Sequence, residues 1–158
     1  MKLRSLLILS AVALLIASCG NKGGKSGLLV PKDAAVVFHI NSASLSSKIS
    51  WEEIRQANWF KEMSKGETDT LARQLLANPA SSGIDTKSDF VCYIKKQGRG
   101  GYMVFEGSLA NAAAYEKVLV EMNKKEAMEI KKDGEFNYVT PDNTSLIIWN
   151  KSMFAIVA

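Results

Sequence analysis

Apolar and polar residues alternate with a period of two in several short runs of the chain after residue 30. In Ala34 to Ile40 this alternation puts Val36, Phe38 and Ile40 on one face of a strand and Val37 and His39 on the other. Six further runs predict strands: Phe90 to Lys95, Tyr102 to Glu106, Met128 to Lys132, Phe136 to Thr140, Ser145 to Trp149 and Ser152 to Val157. Tight turns between them predict antiparallel hairpins.

Helical spacing of apolar residues occupies the chain between these strands. The clearest helix has apolar residues at i, i+3, i+4 and i+7, with Ser108 or Asn111 as its cap; these residues are Tyr115, Val118, Leu119 and Met122. Shorter helices are predicted over Ser42 to Ile49, over Trp51 to Met63 and over Asp69 to Ala77. The second of these divides in two, with Asn58 as the new cap. Ser50 and Glu53 fit a capping box.

The resulting order is one strand, several short helices, two strands, one helix and a four-strand meander. Segregated helices and hairpin-joined strands predict an α+β fold, in which a mostly antiparallel sheet carries its helices on one face. A length of 158 residues with 47% hydrophobic composition suits one globular domain. We place this domain at residues 31–158.

The last predicted strand, Ser152 to Val157, is apolar, and no charged residue follows Lys151. We expect it to pair with Ser145 to Trp149 on one side and to leave its other edge open. An open edge invites strand addition. The sequence therefore predicts either a domain that continues beyond residue 158 or a second copy that closes the edge.

The first eighteen residues have the pattern of a signal peptide. Met1 to Arg4 is basic, and Leu6 to Ala17 is an apolar run of about a dozen residues, shorter than the roughly 20 that span a membrane. Ile16-Ala17-Ser18-Cys19 resembles the bacterial lipobox, which implies cleavage between Ser18 and Cys19 and acylation of Cys19. The predicted protein is anchored without spanning. Residues 19–30 form its flexible tether.

Charge excludes nucleic acid as a partner. The formal net charge is +4, but without Lys2 and Arg4 of the leader, 18 of the 20 basic residues remain against 16 acidic residues. These charges are interspersed and form no continuous basic stripe. Gly24-Lys25-Ser26 matches only the end of a phosphate-binding loop and lacks its earlier glycine and flanking elements. No metal-ligand spacing occurs, so we predict neither metal nor cofactor.

Two residues remain as candidates for nucleophilic chemistry. With Cys19 acylated, Cys92 is the one free thiol, so we expect no intramolecular disulfide. Its alternation with Phe90 and Ile94 predicts a small buried apolar residue. His39 is the single histidine, and we predict a strand residue with a local hydrogen-bond partner rather than a ligand or base.

Several segments resemble a Bacteroidota lipoprotein family that contains a domain of unknown function, DUF4836. They are Pro31 to Ile40, Leu75 to Asp85 (LLANPASSGID), Gly101 to Leu109 and Ser145 to Val157 with its Trp149-Asn150. The resemblance, to the N-terminal part of longer members, implies a cell-envelope lipoprotein and brings no activity or site residues. The residues after Cys19 lack the acidic character of surface-exported lipoproteins, which favours the periplasmic face of the outer membrane. Asp69-Thr70-Leu71 resembles an O-glycosylation motif of that phylum at Thr70.

Three functions compete. The first is a non-enzymatic binding or structural module with an envelope protein as its partner. The second is a tethered binding protein for a glycan or peptide, with Trp51, Trp59 and Trp149 as candidate ligand-stacking aromatics. The third is a hydrolase, but Glu52 and Glu53 point apart on a helix, and no histidine lies near Asp85 and Asp89 in sequence. We rank the non-enzymatic module first.

Overall fold

The computed structural model describes residues 28–122 and 129–158. Its strands are β1 (Val36–Ile40), β2 (Phe90–Gln97), β3 (Gly100–Ser108), β4 (Lys131–Asp133), β5 (Phe136–Val139), β6 (Leu146–Trp149) and β7 (Met153–Val157). Its helices are α1 (Ser42–Lys48), α2 (Trp51–Gln56), α3 (Asn58–Lys65), α4 (Thr70–Ala77) and α5 (Ala112–Met122), with a 3-10 turn at Pro79–Ser82. The predicted α+β class is confirmed.

All seven strands form one antiparallel sheet in the order β1-β2-β3-β7-β6-β5-β4. The expectation of an open edge at the last strand is wrong, because β7 pairs with β6 on one side and with β3 on the other. Phe105 lies opposite Ile156, and Ile156 lies opposite Ile147. The terminal strand thus joins the first hairpin to the meander, and its apolar composition reflects a position inside the sheet.

Polar side chains define the helix starts. The capping box is confirmed: the Ser50 hydroxyl accepts from the backbone N–H of Glu53, and the Glu53 carboxylate accepts from the backbone N–H of Ser50. The predicted division into α2 and α3 is also confirmed, but Asn58 is the first residue of α3 and not its cap. Asn111, rather than Ser108, caps α5 by accepting from the N–H of Ala114.

Strands β2, β3 and β4 differ from their predicted bounds by two residues or more. The strand expected from Met128 to Lys132 runs instead from Lys131 to Asp133, and Met128 lies outside the described residues. The hairpin of β2 and β3 extends further than expected, up to a two-residue turn at Gly98 and Arg99. Gly98 has φ +60°, a left-handed conformation that glycine adopts without strain.

The main core lies between α5 and one face of the sheet. Tyr115 and Leu119 of α5 pack on Trp149, Phe154 and Val139, all of which are buried. Met122, predicted on the same helix face, is instead 66% exposed at the end of α5. We call the side of the sheet that α5 covers the helix face.

The opposite face of the sheet has its own buried cluster. Val91, Tyr93, Val104 and Ala155 form it, and Leu28 and Ala34 pack against it from the segment that precedes β1. Leu28, which sequence reasoning placed in the flexible tether, therefore belongs to the folded domain. We call residues 28–34 the N-terminal strap, and the surface beneath it the strap face.

Candidate functional site

An apolar groove opens on the helix face where α1, α2 and the 3-10 turn meet the sheet. Its volume is about 380 Å³. Twelve described residues line it: Ile40, Ser42, Leu45, Ser46, Ile49, Trp51, Ile54, Asn78, Pro79, Ala80, Thr86 and Phe90. None of these twelve has an ionisable side chain. The groove is therefore suited to uncharged, largely apolar groups.

Local sequence explains how the groove forms. The helices α1 and α2 are too short to cover the sheet beside β1, because the cap at Ser50 starts a new helix immediately after Ile49. The chain then returns through Asn78 and Pro79, where the proline ends α4 and begins the 3-10 turn. The gap between these two segments leaves apolar side chains uncovered.

Two of the three predicted aromatic candidates lie at or near this groove. Trp51 lines it and meets Phe60 edge to face, with ring centroids 5.4 Å apart. Trp59 packs against the same phenylalanine from α3, with ring centroids 5.6 Å apart. Its indole is 62% exposed. Buried Phe60 therefore holds both indoles, and Trp59 presents most of its surface to solvent.

Trp149 lies elsewhere. It is 1% exposed and packs edge to face against Tyr115, with ring centroids 6.1 Å apart. Its indole Nε1 has no hydrogen-bond partner among the described residues. A side chain enclosed by α5 and the sheet cannot stack on a ligand that approaches from solvent. The structure makes Trp149 a core residue rather than a binding residue.

A buried carboxylate, which sequence reasoning missed, occupies the strap face. Glu106 of β3 accepts hydrogen bonds from the backbone N–H of Leu29, at 2.9 Å, and from the Tyr93 hydroxyl. Burial raises the pKa of Glu106, although both hydrogen bonds oppose the shift. Burial and the nearby Glu106 carboxylate raise the pKa of Tyr93 to about 12. A sequence signal existed, since Glu106 is in phase with Val104 in an apolar strand.

His39 and Cys92 do not form a catalytic pair. His39 Nε2 lies 2.8 Å from Oδ2 of Asp89, so the histidine has a hydrogen-bond partner as predicted, but that partner is distant in sequence rather than local. The pairing of β1 with β2 brings these residues together across 50 positions of sequence. Cys92 lies opposite Phe38, on the helix face, whereas His39 lies on the strap face. The sheet therefore separates the thiol from the imidazole.

Cys92 itself is half-buried, less enclosed than its apolar neighbours predicted. It lies between Phe38 of β1 and Phe105 of β3 in the strand register. The more deeply buried residues of β2 are Val91 and Tyr93, on the strap face. The alternation of residues along β2 was predicted correctly. The two faces of β2 differ in how deeply they are buried, and the alternation does not predict that difference.

The remaining predicted sites have simple locations. Thr70 is the first residue of α4 and is exposed. Asp85 accepts from Ser88 and from the backbone N–H of Lys87, which lowers the pKa of Asp85 and gives it a local role in the loop. Ser18 and Cys19 lie outside the described residues.

Within residues 28–122 and 129–158, no three His, Cys, Asp or Glu side chains come close enough together to hold a metal ion. Over the same described part of the chain, the helices are all too short or too polar to cross a membrane.

The chain was compared with curated proteins, solved structures and models of protein families. Neither the curated proteins nor the solved structures contain one that matches the chain. The family model of a domain of unknown function, DUF4836, matches residues 28–158. The match begins at Leu28, where the strap meets the sheet, and it includes the groove, Glu106 and all seven strands. Because the match covers most of the sequence, this chain belongs to the DUF4836 family.

Proposed function

We propose that this protein is a non-enzymatic binding module of the cell envelope, tethered through a lipid on Cys19 to the periplasmic side of the outer membrane. Its groove docks a short apolar segment of a partner envelope protein. The observation that supports this proposal most directly is the uncharged lining of the groove. A serine or threonine hydroxyl attacks a substrate when a neighbouring base activates it, and none of the twelve lining residues has a basic or acidic side chain.

The lining also favours a polypeptide over a charged metabolite. Leu45, Ile49 and Trp51 supply apolar contact, and Ser42 and Asn78 add uncharged polar side chains to the lining. A volume of about 380 Å³ lies at the lower end of the range for ligand pockets. The groove therefore suits a few side chains of a docked segment rather than a whole folded surface.

An apolar fluorescent dye provides the first test of the groove. We expect the uncharged dye Nile red to bind the protein and Leu45→Glu to abolish the fluorescence gain, because a charge in the uncharged lining opposes burial of the dye. Met63→Glu is the matched control. Met63 is also an exposed apolar helix residue, but it does not line the groove. Equal dye binding by both variants would contradict the groove assignment.

Displacement then tests the ligand class. A blocked tetrapeptide of leucine and valine should displace the dye, and a neutral oligosaccharide should not. No displacement by the peptide at millimolar concentration would remove support for an apolar polypeptide ligand.

The anchor is tested separately. Intact-mass analysis of the membrane fraction should show a chain that begins at an acylated Cys19, and Cys19→Ser should abolish that species. A product in the soluble fraction that retains residues 1–18 would contradict the anchor. This result would leave the groove assay unaffected.

A glycan ligand is the second candidate, and the exposure of Trp59 favours it. Exposed indoles stack on the apolar faces of sugar rings. If a glycan is the ligand, an oligosaccharide should quench tryptophan fluorescence in the wild type and in Trp51→Phe, but not in Trp59→Ala. Quenching that persists in Trp59→Ala would exclude this indole as the platform.

A further inference from the structure

The two edges of the sheet differ in how they resist strand addition. The β4 edge has three residues, Lys131–Asp133, and all three are charged and exposed. The β1 edge has five residues, Val36–Ile40, without a lysine, a carboxylate or a proline. Proteins commonly protect sheet edges with short, charged strands. The β4 edge has that protection and the β1 edge does not.

The exposure of β1 extends to both faces of the sheet. Phe38 is 59% exposed on the helix face, and Val37 is exposed on the strap face. Alternate residues of β1 also direct backbone N–H and C=O groups away from β2. Within the described residues, no strand pairs with this outer edge. A helix or a membrane surface would cover one face only, whereas an added strand covers both and satisfies the backbone.

The β1 strand is complementary to itself. In an antiparallel pair centred on Phe38, that side chain faces its own copy, and Val36 faces Ile40 of the second chain. Apolar and aromatic pairs of this kind stabilise a sheet. The carboxylates nearest to β1 would not repel those of the second chain, because each is paired within its own chain. Asp33 pairs with Lys95 at 3.2 Å, and Asp89 pairs with His39 at 2.8 Å.

We propose that β1 pairs antiparallel with β1 of a second copy, around a twofold axis at Phe38, and joins two seven-stranded sheets into one. The pair buries Val36, Phe38 and Ile40 of both copies and leaves the protected β4 edges outermost. The interface shares Ile40 with the groove lining, whereas Val37 and Phe38 lie outside that lining.

Cross-linking of the full chain in its membrane fraction tests the interface. In a Cys92→Ala background, Phe38→Cys should give a disulfide or short-bismaleimide dimer of twice the monomer mass. Lys132→Cys is the matched control, since it places a thiol on the opposite edge of the same sheet. A strong dimer band for the first variant and little for the second is the expected result. Equal bands, or no band from Phe38→Cys, would overturn the proposal.

A charged substitution on the β1 edge is the second test of the interface. Val37→Lys, added to the Phe38→Cys chain, puts two ammonium groups diagonally across the paired strands and should reduce the cross-linked fraction about fivefold or more. Val37 is exposed, so the substitution leaves the monomer core intact, and an unchanged far-UV circular dichroism spectrum verifies this. An undiminished dimer band would contradict pairing through β1. Dye binding by the groove tests the proposed function independently of either result.

Discussion

The backbone N–H of Leu29 donates a hydrogen bond of 2.9 Å to Oε2 of Glu106, a residue that is 3% exposed. This contact joins the strap to the third strand of the sheet, across 77 positions of sequence. Tyr93 donates to the same carboxylate. This buried glutamate therefore adds a polar contact to the apolar packing of the strap, the segment that leads toward the predicted lipid anchor.

Removal of this carboxylate should release the strap. Glu106→Ala leaves the Leu29 N–H and the Tyr93 hydroxyl without their partner, and we expect a loss of about 1–3 kcal/mol in the free energy of unfolding. We also expect faster tryptic cleavage after Lys32. Glu135→Ala, at an exposed position, is the control. Unchanged cleavage after Lys32 would show that the packing of Leu28 and Ala34 and the Asp33–Lys95 ion pair hold the strap without Glu106.

The pH dependence of stability should change in Glu106→Gln. Burial raises the pKa of Glu106 in the folded chain above 4.5, so the folded state binds more protons than the unfolded state between 4.5 and the raised value. Its contribution to stability is therefore fully present below pH 4.5 and is lost as pH rises through the folded pKa. Urea unfolding should show a flatter profile in this window for Glu106→Gln than for Glu135→Gln. Parallel profiles would contradict the assignment.

Gly83 and Gly98 form a matched pair for backbone strain. Both have positive φ, +80° and +60°. A Cβ on Gly83 would collide with the carbonyl oxygen of Asn111 and lie 2.6 Å from the backbone N of Tyr115, whereas one on Gly98 would meet nothing within 4 Å. We expect Gly98→Ala to cost about 1 kcal/mol and Gly83→Ala about 3 kcal/mol or more. Equal losses in urea unfolding would show that the start of α5 moves aside freely.

The indoles of Trp149 and Trp59 should differ in their contributions to stability. Trp149→Ala removes a side chain enclosed by Tyr115 and Phe154 and should cost about 3–5 kcal/mol. Trp59→Ala removes an exposed ring in contact with Phe60 and should cost about 1 kcal/mol or less. Thermal unfolding of both variants measures this difference. A small effect at Trp149 would contradict its place in the core.

Cys92 should react with thiol reagents at a rate that Phe38 controls. The half-buried thiol lies opposite Phe38 in the register of β1 and β2. Phe38→Ala should increase the rate of labelling by Ellman's reagent in the native chain, whereas Val37→Ala, on the other face of β1, should not. Denaturant should increase the rate in all three proteins. Rapid labelling of the native wild type would contradict a sheltered thiol.

Sequence alone predicted much of the local structure correctly. The capping box at Ser50 and Glu53 and the end of α4 at Ala77 were predicted because each depends on neighbours within a few residues. The β2–β3 hairpin was predicted for the same reason, from the short turn between its strands. The α+β class followed from the order of these local elements. The lipobox at Cys19 is also a local pattern, and it stays a prediction.

Tertiary structure decided what those local patterns leave open. Periodicity assigns Val36 and Phe154 to sheet faces, but it does not tell which strands become neighbours, so β7 was expected at an edge and instead lies between β3 and β6. The edge strands of the described sheet are β1 and β4. Glu106 was missed for a related reason: its partner, Leu29, is distant in sequence and approaches only when the strap crosses the sheet. The sheet edges and the contact of Glu106 with Leu29 both depend on residues that are distant in sequence. A pattern of neighbouring residues does not predict such pairing.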